Sequence, residues 1–421
     1  MARYIDRNPV PTGLSDASTR RSHHDVVVVG ARCAGAAVAR LLARAGHDVV
    51  MIDRSHPARD TSSTHSLSRG GVVQLQRWGL LDDVVATGTP EIRSVSFHHD
   101  GESVRHVLRD RAGVDFVIAP RRYVLDALLA DAAVAAGARL VTDTTVTGVL
   151  RDTGGRVIGV TARDADGTPR ELMAHLVIGA DGLRSSVARY VGAQVVERHD
   201  PTGACFYTYV GDVDWDGIQL HVEDDAFAGV FPTHHGEACV WLIRPVDQLA
   251  PVMRAGADRA PAWLSALDTT VPELARTVEK GRITAPLRGY AALPNHLLRP
   301  SGPGWALVGD AGYHRDPVTG HGMTDAFRDA ELLADVVDRV LRRSCPEGVA
   351  MARYERERNA ALAPIFTLTR ALGAFPPARE FLELQTRLSR ALDAEALALA
   401  DRPSLDGTAA DDDEDDLARV A

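Results

Sequence analysis

Apolar and polar positions alternate with several different periods along this chain, and each change of period marks the edge of an element. Val26 to Val29 are four consecutive β-branched residues, too short a run for a helix and apolar towards both sides, which predicts a buried strand of a parallel sheet. Gly30 ends that run. Ala34, Ala36, Ala37, Val38, Leu41 and Leu42 then repeat at helical spacing until Gly46, and Val49 to Ile52 form a second buried strand that ends at Asp53 and Arg54. Strand, helix and strand in this order make a βαβ unit. Beyond it, an irregular stretch with His65 and Arg69 leads into a predicted helix over 72–85. Residues 94–117 alternate as a hairpin around Asp100-Gly101, and an amphipathic helix beginning at Arg122 runs to Gly137. Residues 144–178 read as a three-stranded meander turning at Gly154-Gly155 and Asp166-Gly167, followed by a separate strand over His175 to Ile178.

Between about 200 and 300 the pattern shifts to longer alternating strands, CFYTYVGDV, IQLHVE, FAGVFPT and CVWLIRP, which predicts a second, sheet-rich domain. Trp305 to Val308 returns to a buried strand. An amphipathic helix follows from Met323, and residues 350–400 are helical with a break at Gly373 and Pro376-Pro377. The fold class expected is α/β: a Rossmann-like domain, a mainly antiparallel sheet domain for the substrate, and C-terminal helices. The boundaries drawn are a flexible leader over 1–23, a discontinuous first domain over 24–93, 118–200 and 301–345, the sheet-rich domain over 94–117 and 201–300, helices over 346–405, and an acidic tail over 406–421.

Composition narrows the function classes. The 421 residues are 45% hydrophobic and 25% charged, as in ordinary globular proteins. The net charge is −10, but DDDEDD at 411–416 supplies six of those negatives, so the body carries about −4 and nucleic acid is not an expected partner. No apolar run approaches the ~20 residues that span a bilayer, no signal pattern opens the chain, and a cytoplasmic location is expected. Cys33, Cys205, Cys239 and Cys345 form no CxxC pair and read as small buried hydrophobes. The 16 histidines include no HExxH spacing, and no metal is assigned.

The first turn carries candidate chemistry. A glycine at the end of a strand lets the chain reverse, and the following helix aims free N–H groups at an anion, here a pyrophosphate. Asp53 lies 23 residues after Gly30, near the spacing at which a carboxylate meets the ribose hydroxyls of a dinucleotide. The three glycine positions are filled by Gly30, Arg32 and Gly35, so the middle glycine is absent and Arg32 stands beside Cys33 and Ala34 in the turn.

Two more glycine-and-aspartate turns follow apolar strands about 150 and 130 residues further along: GADGLRSSV at 179–187, and Gly309-Asp310 with Pro317, Gly320 and Gly322 after it. With these three motifs, residues 24–345 resemble the single-component flavoprotein monooxygenases of the para-hydroxybenzoate hydroxylase type, and more broadly the superfamily of geranylgeranyl reductases and flavin halogenases. The resemblance implies FAD held by Gly30, Arg32, Cys33, Ala34, Gly35, Asp53, Arg54, Arg69, Arg122, Asp181, Gly182, Gly309, Asp310, Pro317, Gly320, His321, Gly322 and Met323. Arg122 matches a family arginine near the cofactor. Two positions depart from the family pattern: Tyr313 followed by His314 stands where the family has His, and His321 stands where it has Gln. The tryptophan motif WxWxIP of flavin halogenases is absent.

The helix that begins after Gly320-His321-Gly322 points its positive end at whatever lies above it, in this family the pyrimidine edge of the flavin. The implied reaction is reduction of FAD by NADH or NADPH, formation of a flavin hydroperoxide with O2, and oxygenation of an aromatic or polyketide-like small molecule. The alternative is a reductase or dehydrogenase of carbon–carbon double bonds, and a third reading is a non-catalytic binding protein on this fold. Phe206, Tyr207, Tyr209, Phe231 and Trp241 are expected to line the substrate site. His321 is the preferred base ahead of His314, with His234 and His235 as further candidates. A homodimer and a separate flavin reductase both stay open as partners.

Overall fold

The computed structural model describes residues 20–59, 61 and 66–403. His65, residues 1–19 of the leader, and residues 404–421, which include the whole acidic tail over 406–421, lie outside the described residues. Val26 to Val29 fall in the strand Arg20–Val29, which pairs in parallel with Val49–Ile52 on one side and Pro169–Gly179 on the other. All four valines are buried. Val26 and Val28 pack into one apolar cluster and Val27 and Val29 into another, so the strand is covered on both faces as its uniform apolar pattern requires. Residues 20–23, read as leader, are the start of this strand.

Arg139–Val141 and Trp305–Leu307 extend the parallel sheet at its two sides. The helices Cys33–Arg44, Arg122–Ala135 and Gly322–Leu341 cover one face, their apolar sides in the largest cluster. The meander is present as Thr144–Arg151, Val157–Asp164 and Pro169–Gly179. Its third strand and the separate strand expected at His175 to Ile178 are one continuous element, which reaches from the antiparallel edge into the parallel core. The helix expected over 72–85 is two, Arg69–Arg77 and Leu81–Ala86, divided at Gly79, whose φ of 69° breaks the helical path.

The second large sheet contains the four long strands read from the alternation, Gly203–Gly211, Ile218–Glu223, Ala226–Pro232 and Ala238–Pro245, with antiparallel pairing among them. The hairpin Ser94–His99 and Glu102–Val107 joins its edge through a parallel pairing with Ile218–Glu223. Three helices between residues 250 and 280 were not apparent in the strand-like pattern. They cover the face that carries Phe206, while Glu347–Gly373 and Ala378–Ala400 cover the face that carries Tyr207, Tyr209, Phe231 and Trp241. Cys33, Cys205 and Cys239 are buried as expected, but Cys345 is half-exposed after the end of its helix.

Candidate functional site

Gly30, Asp181 and Gly320, far apart in the chain, open onto one cleft of about 640 Å³ between the carboxyl ends of the parallel strands and the second sheet. This is where ligands sit in open α/β sheets. The first wall is the turn after Val29. Gly30 has φ of 103°, and an added Cβ would overlap the carbonyl oxygen of Ala180, so this glycine is demanded both by the left-handed backbone and by the second motif packed against it. At Gly35 a Cβ would run into the carbonyl of Gly30. Gly35 is therefore a packing residue behind the turn and, contrary to expectation, does not line the cleft.

Asp53 ties this turn together. One carboxylate oxygen accepts the N–H of Ala31 at 2.9 Å, and the other accepts the N–H of Ser55 at 2.9 Å and its hydroxyl at 3.2 Å. The carboxylate also faces the cleft, next to Arg54. The start of the helix Cys33–Arg44 is bound by a further acid, from the helix Arg122–Ala135, that the spacing did not reveal. Asp126 accepts the N–H and the thiol of Cys33, both at 3.2 Å, as well as the Arg122 guanidinium. Burial pushes the Cys33 thiol far up, so it is no nucleophile. One N–H of the anion-facing helix start is thus already engaged, and Arg122 reaches the cleft with its orientation set by Asp126.

In the second motif, Asp181 accepts the Ser185 hydroxyl and the Ser186 N–H, each at 2.6 Å, and the Val187 N–H at 3.2 Å. It holds the start of the helix Ser186–Val191 while also facing the cleft. The third motif brings Asp310, Pro317, Gly320, His321, Gly322 and Met323 to the cleft. Asp310 presents its carboxylate to the cleft; the surrounding protein raises its pKa, against the pull of His314 and Arg122. Gly309 lies behind this wall with φ of 59°, where a Cβ would press on the side chain of Ala34. It shapes the turn without lining the cleft. Arg69 is placed elsewhere too: its guanidinium pairs with Asp393 of the last helix and donates to the Arg109 carbonyl at 3.0 Å. Fifteen of the eighteen positions expected around the cofactor share the cleft, and Gly35, Gly309 and Arg69 do not.

The fit to an extended dinucleotide rests on the space these turns leave. A Cβ at Gly182 would meet nothing within 4 Å, and at Gly322 its nearest neighbour would be an Asp310 oxygen at 4.0 Å. The motif glycines keep open the volume that side chains would fill, and Arg32, Arg54, Arg122 and Arg184 supply positive charge along it.

The two candidate bases differ in their hydrogen bonds. His314 is buried, and its Nδ1 lies 2.8 Å from the Pro294 carbonyl. A carbonyl only accepts, so Nδ1 carries hydrogen and Nε2 is the acceptor of the neutral ring. His296 beside it is pushed down to about 4, first by burial and then by His314. In contrast, both nitrogens of His321 are engaged: Nε2 is 2.6 Å from Glu395 and Nδ1 is 3.0 Å from the Ser68 hydroxyl. His234, 1% exposed, is bound between the hydroxyls of Thr87 and Thr89 and the N–H of Arg121, and lies outside the cleft. It fastens the second sheet to the turn after the helix Leu81–Ala86 and to the start of the helix Arg122–Ala135.

The expected aromatic lining is not where the alternation suggested. Phe206, Tyr207, Tyr209, Phe231 and Trp241 are all buried, and none of them borders the cleft, because helices cover both faces of their sheet. Tyr290 and Leu293 line the cleft from that side instead, together with Asp316. Tyr290 hydrogen-bonds the Cys205 thiol, and burial, followed by Cys205, raises its phenol well above the ordinary value. Burial likewise raises the carboxyl of Asp316, although the Val318 N–H and His314 pull it back. Among the described residues, one cluster has metal-ligand chemistry, His321, Asp325 and Glu395, with ligand atoms within 4.8 Å of one another. Arg328 already bridges its two carboxylates at 2.8 and 2.7 Å, which leaves a cation no unshared charge there. No helix of the described residues is long and apolar enough to cross a membrane.

Known proteins resemble this chain along most of its length. The family model described as "FAD binding domain" matches residues 23–367. The digeranylgeranylglycerophospholipid reductase of Methanocella arvoryzae is 25% identical over 362 residues, 81% of this chain and 84% of that protein. The menaquinone reductase of Mycolicibacterium smegmatis is 29% identical over 332 residues, 74% of this chain and 76% of that protein. Among solved structures, PqsL of Pseudomonas aeruginosa in complex with 2-aminobenzoylacetate is 26% identical with a TM-score of 0.74, covering 88% of this chain and 100% of that one. PqsL has also been described as "a probable FAD-dependent monooxygenase".

Proposed function

The chain belongs to the FAD binding domain family and is an FAD-dependent oxidoreductase, and on that premise we propose that it is a monooxygenase that uses NAD(P)H and O2 to oxygenate an aromatic or polyketide-like small molecule. FAD, when bound, supplies hydride acceptance and oxygen activation. The chain supplies position, charge and a proton acceptor. Gly30, Arg32, Cys33, Ala34, Asp53 and Arg54 hold the adenosine and pyrophosphate end, with Arg122 and Asp181-Gly182 beside them. Asp310, Pro317, Gly320, His321, Gly322 and Met323 hold the flavin end, where the helix Gly322–Leu341 directs its positive pole at the cleft. Asp53 meets a ribose hydroxyl pair better than a 2′-phosphate, which it would repel.

One observation carries oxygenation: the Nδ1–H of His314 is directed to the Pro294 carbonyl, so Nε2 is the acceptor on a ring that lines the cleft. A phenol or enol becomes electron-rich enough for oxygen transfer when its proton is taken, and an imidazole acceptor suits that task near neutral pH. His314 therefore replaces His321 as the preferred base. Tyr290 and Leu293 shield the substrate end from water. Likeness to PqsL across its whole length supports the same reading. The second reading is reduction of a carbon–carbon double bond, favoured by the two reductases named above. Turnover under labelled O2 separates them. One labelled oxygen per product supports the monooxygenase, whereas a saturated product formed without O2 overturns it in favour of the reductase.

A further inference from the structure

His321 lies in the flavin loop, yet its ring is oriented from behind by the last helix. Glu395 accepts Nε2–H at 2.6 Å, and the same carboxylate accepts Arg328 at 2.7 Å. Burial alone would raise Glu395, but His321 and Arg328 override it and hold this carboxyl well below the usual range. Ionised, it can only accept, so Nε2 keeps its hydrogen. The other nitrogen is different. Nδ1 is 3.0 Å from the Ser68 hydroxyl, which is in turn 2.9 Å from the hydroxyl of Thr324.

Those two hydroxyls make the network tolerant of charge. With the ring neutral, Thr324 donates to Ser68 and Ser68 donates to Nδ1. With the ring protonated, Nδ1 donates to Ser68 and Ser68 donates to Thr324. Both states keep the His321–Ser68 and Ser68–Thr324 hydrogen bonds by rotation of two O–H bonds, with no heavy atom displaced. From its own helix His321 faces Asp325 at 3.8 Å, and Arg328 bridges Asp325 and Glu395. Arg315 reaches the same Asp325 from the preceding loop. The positive pole of the helix opposes a proton on the ring, and the two carboxylates favour it. The ring is thus set between opposing fields beside the cleft.

We infer that His321 is a proton-holding residue that takes up a solvent proton at Nδ1 when the bound FAD is reduced, so that reduction adds two electrons and one proton to the flavin and a second proton to the protein. The inference rests on the FAD-binding part of the reading above and holds for either reaction. By reciprocity, the proton on Nδ1 stabilises the anionic reduced flavin as much as that flavin stabilises the proton.

The test is the midpoint potential of the FAD-loaded protein against pH, from about pH 6 to pH 9, across the imidazole range. Wild type should fall with pH about twice as steeply as His321→Gln, because two protons rather than one accompany each electron pair and each tenfold change in proton concentration then counts twice. Superimposed slopes overturn the inference. Should His321→Gln fail to retain FAD, Glu395→Gln answers instead: the steep region must move to lower pH, and an unmoved profile is equally fatal. A protein that takes up no FAD at all overturns the cofactor reading beneath; a yellow protein with superimposed profiles overturns this inference alone.

Discussion

Acid should destabilise this protein through two buried histidines, and the amount can be worked out. His221 is 5% exposed, stacks on His98 with ring centroids 4.3 Å apart, and is pushed down to about 3 by burial first and His98 second. His234 is pushed down to about 4 by burial, then by His235 and Arg121. Both fold as neutral rings, while the unfolded chain protonates at the ordinary 6.5. The unfolded state therefore binds more protons below that value, and stability falls as pH drops through 6.5 until the folded pKa is reached. Between pH 7 and pH 5 each ring costs about 2 kcal/mol, about 4 kcal/mol for the pair. His221→Phe isolates one share, since phenylalanine keeps a ring on His98 and removes both the proton site and an Nε2 that has no hydrogen-bond partner among the described residues. Guanidinium unfolding at pH 7 and pH 5, with FAD at constant excess, should show the variant losing about 2 kcal/mol less than wild type over that interval. Equal losses in both proteins would refute the assignment of a buried neutral His221.

Other perturbations separate the roles of the site residues. Gly30→Ala places a side chain on a φ of 103° and against the Ala180 carbonyl, a strain of roughly 1–3 kcal/mol before the overlap is counted, and should weaken FAD binding tenfold or more by fluorescence titration. His314→Gln should lower kcat roughly 10²–10⁴-fold on a phenolic substrate with the flavin spectrum intact; an unchanged kcat would remove His314 as base. Arg69→Met, outside the cleft, should cost stability by about 1–2 kcal/mol through the lost pairing with Asp393 and leave FAD affinity as it is. A tenfold loss of FAD affinity would show that Arg69 belongs to the site after all.

What could be read in the chain was whatever local backbone demands. The valine run, the left-handed Gly30 and the acid after the second strand are consequences of one turn, and the cleft forms around them. Asp181 was legible as part of a motif but not in its action, because only the folded turn shows it capping the helix from Ser186. At Gly35 and Gly309 the fold supplies a packing reason for the pattern: glycine is needed there because another backbone or side chain comes close. The strands of the second sheet were recognised by period, yet alternation says only that two faces differ. It does not say that helices from residues 250–280 and 347–400 cover both. That is why the aromatic residues were placed at the substrate when they are core, and why Tyr290 was missed.

The last helix explains most of what remained hidden. Asp393 and Glu395 are two residues apart near its end; one pairs with Arg69 and the other with His321, so one short segment steadies the start of the helix Arg69–Arg77 and the loop before Gly322 from behind. Neither acid has a sequence signature, because each acts on a residue more than seventy positions away and lies on a helix whose apolar residues are divided between the second sheet's cluster and that of the first. The family match ends at residue 367. The carboxylate bonded to His321 therefore lies beyond the matched region, and the electrostatics at the Gly320–Gly322 end of the cleft depend on a helix that the shared motifs do not describe.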